Sequence, residues 1–257
     1  MSEKRFACTA CGLCCYGMLP LTIEEALARA DRFPLAMSMM PIKPNVRGYQ
    51  SVAQIGARAE IAPRNKVLLS ISPMGFIPSS MPCPDLAPDN LCSIHETKPV
   101  RCRAMPFYAY KDEDHQADML VPRSGWKCVI TEDAPVVYRD GKILERTDFD
   151  AERVELVAQA PALQRFVDTL LQYNPHLRMK LLKATQGPIA GRVAVGFISY
   201  LRFNPSLPLR EFASSQYAVM KDWLGRTEGD PRLKEFSDFY RNELQDLERY
   251  LPKAGTV

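Results

Sequence analysis

Cys8-Thr-Ala-Cys11-Gly-Leu-Cys14-Cys15 places four thiols within eight positions, before any helix or strand has had room to form. Two residues between cysteines let one turn of backbone bring both sulfurs toward a common centre. A tetrahedral zinc or an iron-sulfur cubane needs that arrangement. Gly12 suits the knuckle, because it can take φ > 0 and its missing side chain lets amides approach the sulfurs.

A second stretch answers the first. It runs Cys83-Pro-Asp-Leu-Ala-Pro-Asp-Asn-Leu-Cys92-Ser-Ile-His-Glu-Thr-Lys-Pro-Val-Arg-Cys102-Arg-Ala-Met-Pro-Phe107, and Cys128 completes eight cysteines. Eight exceed the four that one zinc or one cubane requires, so the sequence points to two sites or to one site with spare thiols. Adjacent residues such as Cys14 and Cys15 are expected to point in different directions. For a single cubane, Cys8-x-x-Cys11-x-x-Cys14 resembles the ferredoxin run, with Cys102 as the candidate distant ligand. Lys98, Arg101 and Arg103 either offset the negative charge of a thiolate centre or form an ordinary solvated face. His95 reads as a structural or supporting histidine, with eight thiols available to ligate. His115 and His176 are isolated and receive no role.

The two stretches resemble the YkgJ family of cysteine-cluster proteins, whose domain takes its name from the CxxCxxCC motif and is described as chelating zinc or iron. Cys8, Cys11, Cys14, Cys15, Cys92, Ile94, Pro99, Cys102, Arg103 and Pro106 are in register with its two motifs. The resemblance covers roughly residues 6 to 130. His95 matches the family's usual Tyr or His after the Ile, while Lys98 stands where an Arg usually precedes the Pro and keeps the charge. The flagellin lysine methylases share only the cysteine-cluster idea with this chain, and their activity does not carry over.

Disulfides are the alternative use of an even cysteine count. The N-terminus runs Met-Ser-Glu-Lys-Arg-Phe into the cysteine motif without an apolar h-region, so the chain is expected in the cytoplasm, where thiols stay reduced and metal ligation is the better account. No apolar stretch has the ~18 uninterrupted residues of a membrane span. The nearest, Ile189 to Phe203, carries Arg192 and Arg202. A net charge of +3, spread over both halves without a Lys/Arg run, gives no nucleic-acid signature. The chain lacks GxGxxG after a strand, a P-loop, GxSxG, HExxH and the CxxxCxxC of radical enzymes, and no residue is singled out as catalytic.

The 257 residues, 46% hydrophobic and 25% charged, suffice for a full globular core. Thr22 and Glu25 form a capping box that predicts a helix over about 22–32. Residues 34–63, broken by Pro41, Pro44 and Gly48, read as irregular, with Met37, Met39 and Met40 filling core gaps. Val67, Leu69 and Ile71 predict a strand over 66–72. Residues 83–107 read as loops, Asp118 to Arg123 as an edge strand, and Asp140-Gly141 as a hairpin turn. Beyond residue 145 the periods become helical: 162–172 with Pro161 in its first turn, a helix from Leu209 stopped by Gly225, and another after Pro231.

The expectation is therefore an α+β chain. A loop-rich cysteine metal-binding domain, 1–145, has short strands and helices, and a small helical bundle follows over 146–257. Functionally, Cys8, Cys11, Cys14, Cys15, Cys83, Cys92, Cys102 and Cys128 are expected to hold an iron-sulfur cluster, 4Fe-4S favoured, or iron, for redox or enzymatic use. The alternative is a zinc-stabilised structural or adaptor module whose helical half binds a partner protein. Whether the chain is an enzyme and its oligomeric state are left open by the sequence.

Overall fold

Val67, Leu69 and Ile71 lie in the longest strand of a five-stranded antiparallel sheet, and the rest of the molecule is laid against it. The computed structural model describes residues 3–187 and 191–252. In chain order come β1 (Glu3–Arg5), β2 (Leu19–Pro20), α1 (Ile23–Ala28), β3 (Leu35–Ile42), α2 (Tyr49–Ile55), β4 (Ala57–Ala62), β5 (Asn65–Gly75) and α3 (Val100–Arg103). There follow β6 (Val136–Arg139), β7 (Lys142–Ile143), α4 (Thr147–Tyr173), α5 (Pro175–Thr185), β8 (Val193–Gly196), α6 (Ile198–Arg202), α7 (Leu209–Thr227) and α8 (Lys234–Leu247). The architecture is α+β, with a C-terminal helical region. Among the described residues no helix is long and apolar enough to cross a membrane.

In the sheet, β5 pairs with β3 from Leu68 to Gly75, β4 and β2 pair with it near its two ends, and β8 lies on the far side of β3. β3 corrects the expectation of irregular chain over 34–63. Its first five residues are buried, so it shows none of the alternation that marks a half-exposed strand. The methionines do fill the core, Met37 and Met39 being fully buried. α2 and β4 occupy the remainder of that segment, joined at Gly56. A Cβ on Gly56 would stand 2.2 Å from the Leu69 carbonyl oxygen of β5, so only glycine lets the chain pass so close.

Three more elements differ from expectation. Asp118 to Arg123 does not form a strand, since Glu113–Leu120 is a 3-10 helix. α4 begins at Thr147, not at Ala162, and carries Pro161 in its interior. Proline there leaves the Val157 carbonyl without its helical partner, but Val157 is exposed and water can serve it. α7 runs past Gly225 to Thr227 and ends before Gly229, whose φ of 88° supplies the turn. The capping box of α1 forms as read, although the helix ends at Ala28. The hairpin turns at Asp140 and Gly141, both at positive φ. Of the apolar run that starts at Ile189, residues 188–190 lie outside the described residues, and the rest forms β8 and α6.

α4 spans two cores. Its first half gives Phe149 and Leu156 to a smaller cluster with Ile55, Phe107, Tyr110, Tyr138 and Ile143, over the three-stranded sheet β1-β6-β7. Its second half gives Leu163, Phe166, Val167 and Leu170 to the main core, which joins the five-stranded sheet to α5, α7 and α8. Residues on both sides of 145 thus share the main core. Buried polar groups fix the join. Gln216 of α7 donates to the Phe33 carbonyl (2.8 Å) and accepts from Leu35 N–H (2.9 Å), and the Tyr240 hydroxyl of α8 donates to the Phe76 carbonyl (2.6 Å).

Glu243 of α8 is buried against Gly196, whose N–H donates to its carboxylate and whose missing Cβ leaves it room. Burial pushes this carboxyl up to about 8, far above the ~4.3 of an exposed glutamate. Between those values the unfolded chain has released the proton and the folded chain holds it. Stability therefore falls as pH rises through the window, by at most about 1.4 kcal/mol per pH unit. We expect the urea midpoint to drop between about pH 5 and about pH 8, and to drop less in Glu243→Gln. Equal drops in the two proteins would remove Glu243 as the cause.

Candidate metal centre

β1 pairs with β6 in the register Glu3 to Arg139, so the chain leaving β1 is carried alongside the segment that precedes β6. Phe6 N–H donates to the Pro135 carbonyl (3.1 Å), and Ala7 and Val129 exchange two backbone hydrogen bonds of 2.8 and 3.0 Å. The Thr9 hydroxyl then donates to the Lys127 carbonyl at 3.1 Å. This first seam sets Cys8 and Cys11 beside Cys128.

Gly12, at φ 73°, turns the chain into a single 3-10 turn over Leu13–Cys15, closed by Cys15 N–H on the Gly12 carbonyl (2.9 Å). A second seam follows at once. Cys83 N–H donates to the Cys15 carbonyl at 2.7 Å, and Tyr16 bridges Pro82. The loop that Cys83 opens folds back on itself, with Leu86 bridging Cys92 and Ser93 N–H bonding the Asp85 carbonyl at 2.9 Å. Its tip reaches the first loop: a Cβ on Gly12 would lie 3.0 Å from the Asn90 Cβ.

Cys102 arrives on α3, which is gripped from two sides. On one side Glu25, already in the capping box of α1, accepts Val100 N–H at 2.7 Å. On the other, the buried Arg101 donates twice to Glu152 of α4, at 3.0 and 2.7 Å, and also bonds the Phe107 carbonyl. Its guanidinium stacks over the Tyr108 ring at 4.7 Å. Burial pushes the Glu152 carboxyl up to about 7 against the pull of Arg101.

All eight cysteines are free thiols. Cys14 and Cys15 depart from expectation, since their sulfurs converge to 4.0 Å instead of diverging. The hydrogen bond from Cys15 holds Cys14 down to about 6 and pushes Cys15 up. Burial pushes Cys83 to about 11 and Cys102 to about 12. Backbone contacts with Leu13 and Lys127 hold Cys11 low. Amides reach two sulfurs, Ala10 N–H to Cys8 at 3.3 Å and Asp85 N–H to Cys83 at 3.4 Å. Free thiols on short loops, with amide donors and without competing disulfides, fit zinc or an iron-sulfur cluster. Either metal must displace the protons that burial holds on Cys83 and Cys102.

Of the expected cations, Lys98 acts on Cys14, and Arg101 acts on Cys102 while paired with Glu152. Arg103 lies 3.5 Å from Asp148. His95 is exposed in a 3-10 turn. Two acidic residues of the site escaped the sequence reading. Asp85 is buried and meets Arg32 at 2.7 Å, and only its place between Cys83 and Leu86 hinted at this. Glu152 carried no signal, because its partner lies 51 residues away. Among the described residues, the group of His, Cys, Asp or Glu whose ligand atoms all lie within 4.8 Å is Asp112, Asp114 and His115, so no three cysteine sulfurs are that close.

Residues 7–121 match the family model CxxCxxCC, described as "Putative zinc- or iron-chelating domain". The match takes in Cys8 through Cys102 and ends before Cys128. No curated protein and no solved structure matches the chain.

Two substitutions test the scaffold. Arg101→Met leaves Glu152 buried without its cation and should lower unfolding free energy by about 3–5 kcal/mol, with much of the loss recovered in Arg101→Met/Glu152→Leu. Urea titration of the three proteins checks this, and a neutral single variant would refute it. Gly12→Ala meets both the positive φ and the Asn90 contact. It should cost more than about 1 kcal/mol and lower the metal retained on dialysis.

Proposed function

We propose, from the match of residues 7–121 to this family model, that the chain is a cytoplasmic iron-sulfur protein whose thiolates come from the loop 8–15 and from the 83–128 region. The observation that carries this reading is the backbone bond between Cys83 and Cys15, with the Ala7–Val129 pair beside it: each seam brings a near cysteine to a distant one. A metal there closes a long loop. The cost of closure grows only logarithmically with length, and thiolate-metal binding of on the order of 10 kcal/mol offsets it.

A cluster is preferred to zinc because Cys8-x-x-Cys11-x-x-Cys14 resembles the ferredoxin run, which takes its fourth ligand from a distant cysteine. A bound cluster would supply one-electron chemistry. The residues of this chain bind it, with Lys98 and Arg101 beside the thiolates, amides turned to Cys8 and Cys83, and Arg101–Glu152 holding Cys102 in place.

Anaerobic purification followed by iron, sulfide and zinc analysis decides between the readings. A brown protein with equal iron and acid-labile sulfide is expected. A colourless protein retaining zinc would replace the cluster with a zinc-stabilised adaptor. Cys102→Ser should release metal although the CxxCxxCC motif is intact, and should open residues 83–107 to protease. Chelation should loosen the loops over 80–130 while the main core, against which only Cys83 of the eight cysteines packs, keeps its helical signal.

A further inference from the structure

We infer that the eight cysteines form two tetrathiolate centres, Cys8, Cys11, Cys14 and Cys128 in one and Cys15, Cys83, Cys92 and Cys102 in the other, each taking a zinc ion or an iron-sulfur cluster. The inference rests on the thiolate-metal reading above and adds the partition, including a role for Cys128, which the CxxCxxCC match does not reach.

The partition follows from the two seams. They leave the 3-10 turn Leu13–Cys15 in different directions: the chain before it pairs with residues 127–135, and the chain after it pairs with 82–83. Cys128 flanks Val129 on the first seam, so it stands with Cys8 and Cys11. Cys83 opens the second seam, the Leu86–Cys92 bridge folds Cys92 back toward it, and the segment 25–32 ties both ligand loops together, Glu25 accepting Val100 N–H beside Cys102 and Arg32 meeting Asp85 beside Cys83.

Cys15 is tied to the second loop directly, since its carbonyl accepts Cys83 N–H at 2.7 Å. It therefore belongs to the second group. Cys14 precedes it in the turn where the seams part, and four ligands per centre assign it to the first, whose other members number three. The 4.0 Å between Cys14 and Cys15 then separates a ligand of one centre from a ligand of the other. A single centre completed by Cys102 would strand Cys128 against Cys8 and Cys11 without a use. It would also leave Cys83 and Cys92 as spare thiols in a loop folded around them.

The test uses the full chain, stripped of metal and titrated anaerobically with cobalt(II), whose thiolate charge-transfer band reports ligation by sulfur. Two equivalents per chain are expected at the end point. Cys128→Ser and Cys83→Ser should each bind one equivalent in a thiolate site, with unchanged far-ultraviolet circular dichroism, and the double variant should bind none. Reconstitution with iron and sulfide gives the second arm, where the wild type should take two clusters and each single variant one. One equivalent in the wild type would overturn the partition and leave a thiolate centre standing. Loss of all metal in a single variant that keeps its circular dichroism would also overturn it. Absence of any thiolate-bound metal in the wild type would instead overturn the proposed function. A variant that fails to fold leaves the wild-type end point to decide.

Discussion

The Arg101–Glu152 pair is the interaction on which the arrangement of the site depends. Both side chains are almost wholly buried, and each would be costly to bury alone. Glu152 sits in the first half of α4, between Phe149 and Leu156 of the smaller core. Arg101 adjoins Cys102. The pair therefore joins a short helix of only four residues, which could not hold its own shape, to the longest helix in the molecule. It does so directionally, one guanidinium nitrogen donating to both carboxylate oxygens, where apolar contact would fix position less closely.

The elements that the sequence disclosed are those whose signals are local. The capping box at Thr22 and Glu25 involves residues three apart, and the Asp140-Gly141 turn needs only two positive φ values. The elements it concealed take their stability from distant partners. β3 is sandwiched between β5 and β8, and burial on both faces removes its alternation. The start of α4 was masked by Pro161, which local rules place at a helix N-terminus, while packing against both cores keeps the helix running through it.

The site divides similarly. The candidate ligands were legible, since closely spaced cysteines in a chain with a second cysteine-rich stretch have few other uses. Which segments lie side by side was not. Cys102 is the plausible distant partner from motif spacing alone, yet Ala7 pairs with Val129, and this brings Cys128 to the first loop. That pairing is set by the register of β1 on β6, which involves three residues of each segment and leaves no periodic trace in either. Asp85 and Glu152 were missed for a related reason: a buried acid is identified by its cation, and Arg32 and Arg101 lie far away in sequence.

The strand order has a consequence for biosynthesis. β1 waits for β6, so residues 3–5 stay unpaired until residues 136–139 have been made. At ordinary elongation rates, on the order of ten seconds separate the emergence of Cys8 from that of Cys128. During that interval the thiols of the early loop lack the first seam, while the second can close once residues 82–83 have emerged. Whatever a chaperone or metal donor delivers in those seconds meets an open thiolate arm, and the lasting coordination shell is decided only after the 127–139 region has emerged to close it.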